Sequence, residues 1–126
     1  MAQGRGREPA VRTLAMPQDT NPSGDIFGGW LLAQMDIAGG IVAYRRARGR
    51  VATVAIEAMS FHAPVFVGDV VSCYAEVLRV GRTSLQLQVE AWVQRGRTGE
   101  EIKVTEGRFT YVAIDEARRP RPVPPP

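Results

Sequence analysis

Residues 27–44 read F-G-G-W-L-L-A-Q-M-D-I-A-G-G-I-V-A-Y, and this stretch decides the fold. Gln34 and Asp36 are its only strongly polar side chains. The pattern predicts a helix from about Gly28 to Arg48. Gly49 follows its last turn, and Arg45, Arg46 and Arg48 suit the negative end of its dipole. A helix that is apolar nearly all round needs cover on most sides.

That cover must come from strands. Val11 to Met16 reads as a short strand before the helix, and Pro17 to Gly24 as a loop rich in turn-forming residues. Four longer strands follow. Residues 51–61 are largely apolar, and Ala63-Pro64 closes them. Val70 to Val80 places Val71, Cys73, Ala75 and Val77 on one face. Ser84 to Gln94 alternates most cleanly. Leu85, Leu87, Val89, Ala91 and Val93 face in, while Ser84, Gln86, Gln88, Glu90 and Gln94 face out. Ile102 to Ile114 changes phase midway, which a bulge near Gly107 would explain. The order is β-α-β-β-β-β. A long antiparallel sheet with one central helix must curl around it, so the expected class is α+β. One curved sheet covers only part of such a helix, and a second subunit is expected over the rest.

The chain has 126 residues, enough for one domain, expected at 10–115. Residues 1–9 are Gly, Arg and Pro rich. Residues 116–126 end in R-R-P-R-P-V-P-P-P, whose prolines lack the N–H that a ladder or helix needs. Both ends are expected to be disordered tails, the second polyproline-like. The formal charge of +3 lies mostly in these ends, so a nucleic-acid partner is not expected. No apolar stretch reaches the length of a membrane span, and the N-terminus lacks the apolar core of a secretory signal. Cys73 is the only cysteine, which suits a reducing compartment, and the expected location is the cytoplasm. One histidine and one cysteine argue against a metal site.

Chemistry concentrates in residues 21–36, N-P-S-G-D-I-F-G-G-W-L-L-A-Q-M-D. Asp36 has Leu32, Ala33, Gly39 and Gly40 as helical neighbours, an apolar, small-residue face. A carboxylate there is expected to have its pKa pushed up unless it is hydrogen-bonded. Gly39 and Gly40 each weaken a helix by about 1 kcal/mol relative to Ala, so close packing or room for a ligand must offset them. Gly28 and Gly29 open the helix, where unpaired N–H groups and the dipole suit an oxyanion. Asn21 to Asp25 is a turn-forming run, and a plain turn is its bland reading.

The segment D-T-N-P-S-G-D-I-F-G-G-W-L-L-A-Q-M-D resembles the short bacterial acyl-CoA thioesterases of the YciA type, in the hotdog-fold superfamily. F-H-A-P-V-F-V-G-D-V-V at 61–71, G-R-T-S at 81–84 and E-A-W-V at 90–93 resemble them too, and the likeness spans about residues 11–115. It implies a long central helix wrapped by a curved antiparallel sheet, a homodimer at minimum, and often a trimer of dimers. It implies hydrolysis of acyl-CoA to a free acid and coenzyme A, without a cofactor. It assigns catalysis to Asn21 and Asp36, from opposite subunits. Asp36 would act as general base or nucleophile, and Asn21 would orient water or carbonyl. A backbone N–H near Gly28 and Gly29 would polarise the thioester. Arg82, with Thr83 and Ser84, is the expected contact for the phosphates of coenzyme A. The arginines at 45, 46, 48 and 50 are read as a solvated helix end.

Two alternatives fit the same fold. One is a non-catalytic acyl-CoA binding module, though such sensors usually carry a further domain. The other is a hydratase or dehydratase, which would need His62 beside a carboxylate. Cys73 and Trp92 read as packing residues, Trp30 as packing that sits close enough to line an acyl pocket, Asp69 as a turn former, and Ser60 and Ser84 lack a histidine partner for a triad.

Overall fold

The computed structural model describes residues 7–96 and 99–126, and a single long helix lies at its centre. Helix α1 spans Gly28–Ala47. It stops at Arg48, which takes a left-handed φ of 55°, one residue before the glycine expected to follow the last turn. Leu31, Met35, Ala38, Ala43 and Ala47 form its buried stripe. Ile37 and Tyr44, on the other side, are each about half exposed.

The strands are β1 Val11–Leu14, β2 Val51–Phe61, β3 Val70–Val80, β4 Ser84–Arg95 and β5 Glu100–Ala113. A 3-10 turn at Pro17–Asp19 lies within the stretch read as loop. The strands make one antiparallel sheet in the order β1-β3-β4-β5-β2. The chain therefore leaves α1 along one edge, β2, and must cross to β3 before filling the centre. On β4, Leu85, Leu87, Val89, Ala91 and Val93 are all fully buried, as the alternation required.

Extra residues bend these long strands around α1. The register slips at Leu78 in β3 and twice in β2. In β5 the slip falls at Val104, because Ala91 pairs with Thr105 and Trp92 with Lys103. Consecutive residues Val104 and Thr105 are thus both buried. The phase change is real, but it occurs three residues before Gly107. Gly107 answers a different need: a Cβ there would collide with the sulfur of Met59.

The C-terminal segment departs from the expected disordered tail at 116–126. Arg121 N–H donates to Ala113 O at 2.9 Å and Val123 N–H to Arg82 O at 2.8 Å. Pro120, Pro122 and Pro124 alternate with those donors, where no N–H is required. The Arg121 guanidinium donates to Ala47 O at 3.0 Å, at the carbonyl end of α1, and the Arg46 guanidinium donates to Pro124 O. At the other end residues 1–6 of the expected tail at 1–9 lie outside the described residues. Arg7 pairs with Glu90 at 3.1 Å and sits over the Tyr74 ring. Among the described residues no helix is long and apolar enough to cross a membrane.

Strand β2 forms a sheet edge, and most of its side chains are exposed, Val54, Ile56 and Phe61 among them. With Ile37 and Tyr44 on α1 they leave an apolar flank without cover in one chain.

Candidate active site

Asp36 sits on the flank of α1 that faces β2 and β5. Its Oδ1 accepts the Thr53 hydroxyl from β2 at 2.7 Å and lies 2.9 Å from the Tyr111 hydroxyl of β5. Oδ2 has no partner among the described residues. The carboxylate is half-buried and hydrogen-bonded. Neither Thr53 nor Tyr111 was singled out in the sequence. They stand 17 and 75 positions from Asp36 and reach it only through the sheet order. A hydroxyl at mid-strand and one in a buried strand gave no local signal.

Gly39 explains itself beside Tyr111. A Cβ on Gly39 would overlap the Tyr111 hydroxyl and come within 3.0 Å of Cζ. The glycine that weakens the helix thus admits a ring to its surface. Gly40 is less constrained, with a would-be Cβ at 3.9 Å from the same ring.

Asn21 is held by its own loop. Its Oδ1 accepts the N–H groups of Ser23 at 2.9 Å and Asp25 at 3.1 Å, and its N–H donates to Asp25 O at 2.7 Å. This is an Asx-type turn, the structure such a run favours. The side-chain amide Nδ2 is left without an acceptor among the described residues. The loop is tied down at both ends: Phe27 N–H donates to Asp19 O at 3.0 Å and Ile26 N–H to Val65 O at 3.2 Å. Asp69 secures the Val65 loop in turn. It is buried, accepts Phe66 N–H at 2.8 Å and binds the Arg95 guanidinium through both oxygens.

No side chain caps the start of α1, where Phe27 is the N-cap residue. A Cβ on Gly29 would meet nothing within 4 Å, and Gly28 and Gly29 are both exposed. Gly29 and Asp36 are separated by about 10 Å of helical rise. Among the described residues no hydrogen bond joins Asn21 to Asp36.

In the Gly81–Ser84 turn, Gly81 N–H donates to Ser84 O at 2.8 Å. Arg82 is exposed and its carbonyl holds the C-terminal segment, while the Thr83 carbonyl accepts Ala113 N–H. A cleft of about 140 Å³ adjoins the turn, lined by Arg79, Gly81, Ser84, Gln86 and Thr110. Of the expected phosphate contacts it includes Ser84 but not Arg82 or Thr83. Arg79 is a cation the sequence reading passed over. Gln86 and Thr110 alternate with the buried Leu85, Leu87, Phe109 and Tyr111, so the cleft lies on the sheet face turned away from α1.

His62 does find a carboxylate, Glu106, at 2.8 Å. Glu106 also binds Lys103 at 3.1 Å and Gln88 at 3.3 Å, and lies between buried Thr105 and Gly107 on the outward sheet face. The His62 and then the Lys103 hydrogen bonds hold its carboxyl below the usual range. An acid–base pair so saturated, on the face opposite Asp36, is a surface ion cluster. Cys73 is buried, and burial pushes its thiol up to about 12, which makes it an inert core residue.

A long helix wrapped by a five-stranded antiparallel sheet is the hotdog architecture. Comparison with known proteins agrees. Residues 23–100 match the thioesterase superfamily. The acyl-CoA thioester hydrolase YciA of Salmonella typhimurium is 52% identical over 120 residues, covering 93% of this chain and 90% of that protein. The hexameric thioesterase y2039 of Yersinia pestis superposes with a TM-score of 0.91 at 50% identity, covering 96% of this chain and 98% of that one. An acyl-CoA hydrolase of Staphylococcus aureus superposes with a TM-score of 0.85 at 27% identity, covering 90% and 68% of the two chains. It has been solved with one asparagine replaced by alanine, in complex with coenzyme A, and separately with one aspartate replaced by alanine. The chain belongs to the thioesterase superfamily, among the acyl-CoA thioester hydrolases of the YciA type.

Proposed function

We propose that the chain hydrolyses acyl-CoA thioesters at a site shared by two subunits, with Asp36 of one protomer facing the partner subunit's Asn21, Gly28 and Gly29. The observation that carries this reading is the Asp36 carboxylate. Thr53 and Tyr111 occupy Oδ1, Oδ2 has no partner, and the group borders an apolar flank that a second copy would cover. The separation of about 10 Å between Asp36 and Gly29 in one helix supports the division between subunits. The asparagine and aspartate replaced in the Staphylococcus hydrolase are fifteen positions apart, as Asn21 and Asp36 are here.

The helix-start N–H groups polarise the thioester carbonyl, and the free amide of Asn21 orients carbonyl or water. Asp36 takes a proton from water as the water oxygen attacks the carbonyl carbon. The carbon–sulfur bond then breaks, and the coenzyme A sulfur leaves with that proton. Alternatively Asp36 attacks the carbon itself, and the carbon–sulfur bond breaks and expels the coenzyme A thiolate. Water then opens the resulting anhydride, which frees the acid and Asp36 and supplies the proton that the thiolate takes up. Both routes end in a free acid and coenzyme A and call on no metal or cofactor. Arg82, Thr83 and Ser84, with Arg79 beside them, are the proposed contacts for the phosphates of coenzyme A. Edge strand β2 offers the backbone row through which two sheets join, and three such dimers would make the hexamer named for the Yersinia relative. A reducing cytoplasmic setting suits the lone thiol.

A thiol reagent tests this directly. Purified protein should release free thiol from acyl-CoA, and Asp36→Ala should abolish release with assembly intact. Mixing inactive Asn21→Ala and Asp36→Ala proteins should restore part of the activity in mixed dimers. No recovery after proven subunit exchange would overturn the shared site. Tight acyl-CoA binding without thiol release would favour a binding module instead.

A further inference from the structure

Tyr111 is fully buried, and its ring stacks on Phe109 with centroids 6.4 Å apart and planes at 14°. The core therefore sets the direction of its hydroxyl. That hydroxyl occupies the notch that Gly39 leaves in α1, where any side chain would collide with it. It stands 2.9 Å from Asp36 Oδ1 and 2.9 Å from the Asp36 backbone carbonyl. A phenol has one proton to give, and a carboxylate is the stronger acceptor. Burial first, then the neighbouring Asp36 carboxylate, hold the Tyr111 hydroxyl far above its ordinary value, so it stays a donor. Thr53 faces Asp36 from β2 and Tyr111 from β5, and no charged side chain contacts Asp36 among the described residues.

We propose that Tyr111, seated in the Gly39 notch, is a positioning residue for the hydrolysis: it pins Oδ1 of Asp36 and makes Oδ2 the oxygen that reacts. The inference rests on the role proposed for Asp36, and it holds whether that oxygen takes a proton from water or attacks carbon. It also gives Gly39 a catalytic consequence. A helix residue with no side chain lets the core, rather than solvent, aim the carboxylate.

Tyr111→Phe keeps the ring and its packing and removes one donor. The expected result is a fall in kcat of about tenfold, with KM within about twofold, since a lost hydrogen bond to a charged group is worth ~1.5 kcal/mol or more. The acid limb of the kcat/KM profile should move to higher pH, because a carboxylate that loses a donor holds its proton more tightly. Gly39→Ala should give the same shift by displacing the hydroxyl, and should add little to Tyr111→Phe in the double variant. If Tyr111→Phe fails to assemble, Gly39→Ala is read on the same pH axis. An unmoved acid limb, whether kcat is normal or KM has simply risen, overturns the positioning role. In that case Asp36→Asn still tests the underlying reading: an inactive Asp36→Asn leaves it standing, and an active one removes it.

Discussion

Thr53 on the free edge strand donates its hydroxyl to Oδ1 of Asp36 on the helix at 2.7 Å, so the carboxylate spans the seam between α1 and β2. That seam borders the flank left open for a second copy. Thr53→Val keeps the branched shape and strand preference but removes the donor. The expected outcome is a loss of about tenfold in thiol-release kcat with assembly unchanged, one hydrogen bond to a charged group being worth ~1.5 kcal/mol. Steady-state kinetics beside a sizing measurement check it.

Gly107 lies under Met59, whose sulfur fills the space a Cβ would need. Gly107→Ala should therefore destabilise the chain by about 1–3 kcal/mol, the usual cost of overpacking. Shortening the partner in a Gly107→Ala, Met59→Ala double variant should recover part of that loss. Urea unfolding of Gly107→Ala, Met59→Ala and the double variant measures the coupling, and purely additive effects would contradict the contact.

Arg95 binds Asp69 through both carboxylate oxygens, and its side chain is 31% exposed against 4% for Asp69. Arg95→Ala leaves a buried charge without its cation. The loss of stability should fall somewhat below the ~3–5 kcal/mol of a fully buried pair, because Arg95 is partly solvated. The Val65 loop holds Ile26 beside the Asn21 turn, so KM should also rise. A melting curve and a KM determination test the two effects separately.

The His62, Glu106 and Lys103 cluster bears on stability rather than catalysis. His62→Ala should leave kcat unchanged. The Glu106 carboxyl is held below its ordinary value of 4.5, by His62 first and then Lys103. A depressed carboxyl contributes stability that is present above its unfolded value and lost as pH falls through the folded one. Glu106→Gln should therefore be less stable at neutral pH and show a weaker drop in stability below pH 4.5. Urea midpoints across that range provide the measurement.

Much of this architecture was legible in the chain. A run with two polar side chains between Phe27 and Tyr44 requires a helix with cover on most sides. The alternation from Ser84 onward places its inward face residue by residue, because side chains on a strand alternate with a period of two. The shift of phase in β5 was visible too, but its position was not. A bulge forms where the partner strand allows it, and β4 sets it at Val104. The tail was misread through its prolines. Their missing N–H groups suggested fraying, whereas Arg121 and Val123, at alternate positions, carry the hydrogen bonds.

By itself the sequence determined the helix and the strands, which depend on spacing and residue type within a few positions of each other. Its resemblance to the acyl-CoA thioesterases singled out Asn21 and Asp36, on which the chemistry is proposed to turn. Only the tertiary structure decided what surrounds Asp36. Thr53 and Tyr111 arrive from separate strands because β2 and β5 pair side by side against α1. Gly39 then leaves the gap through which the ring reaches the carboxylate. Hydrogen bonds between residues 75 positions apart carry no trace in local periodicity, since chain separation and spatial separation are coupled only by the fold.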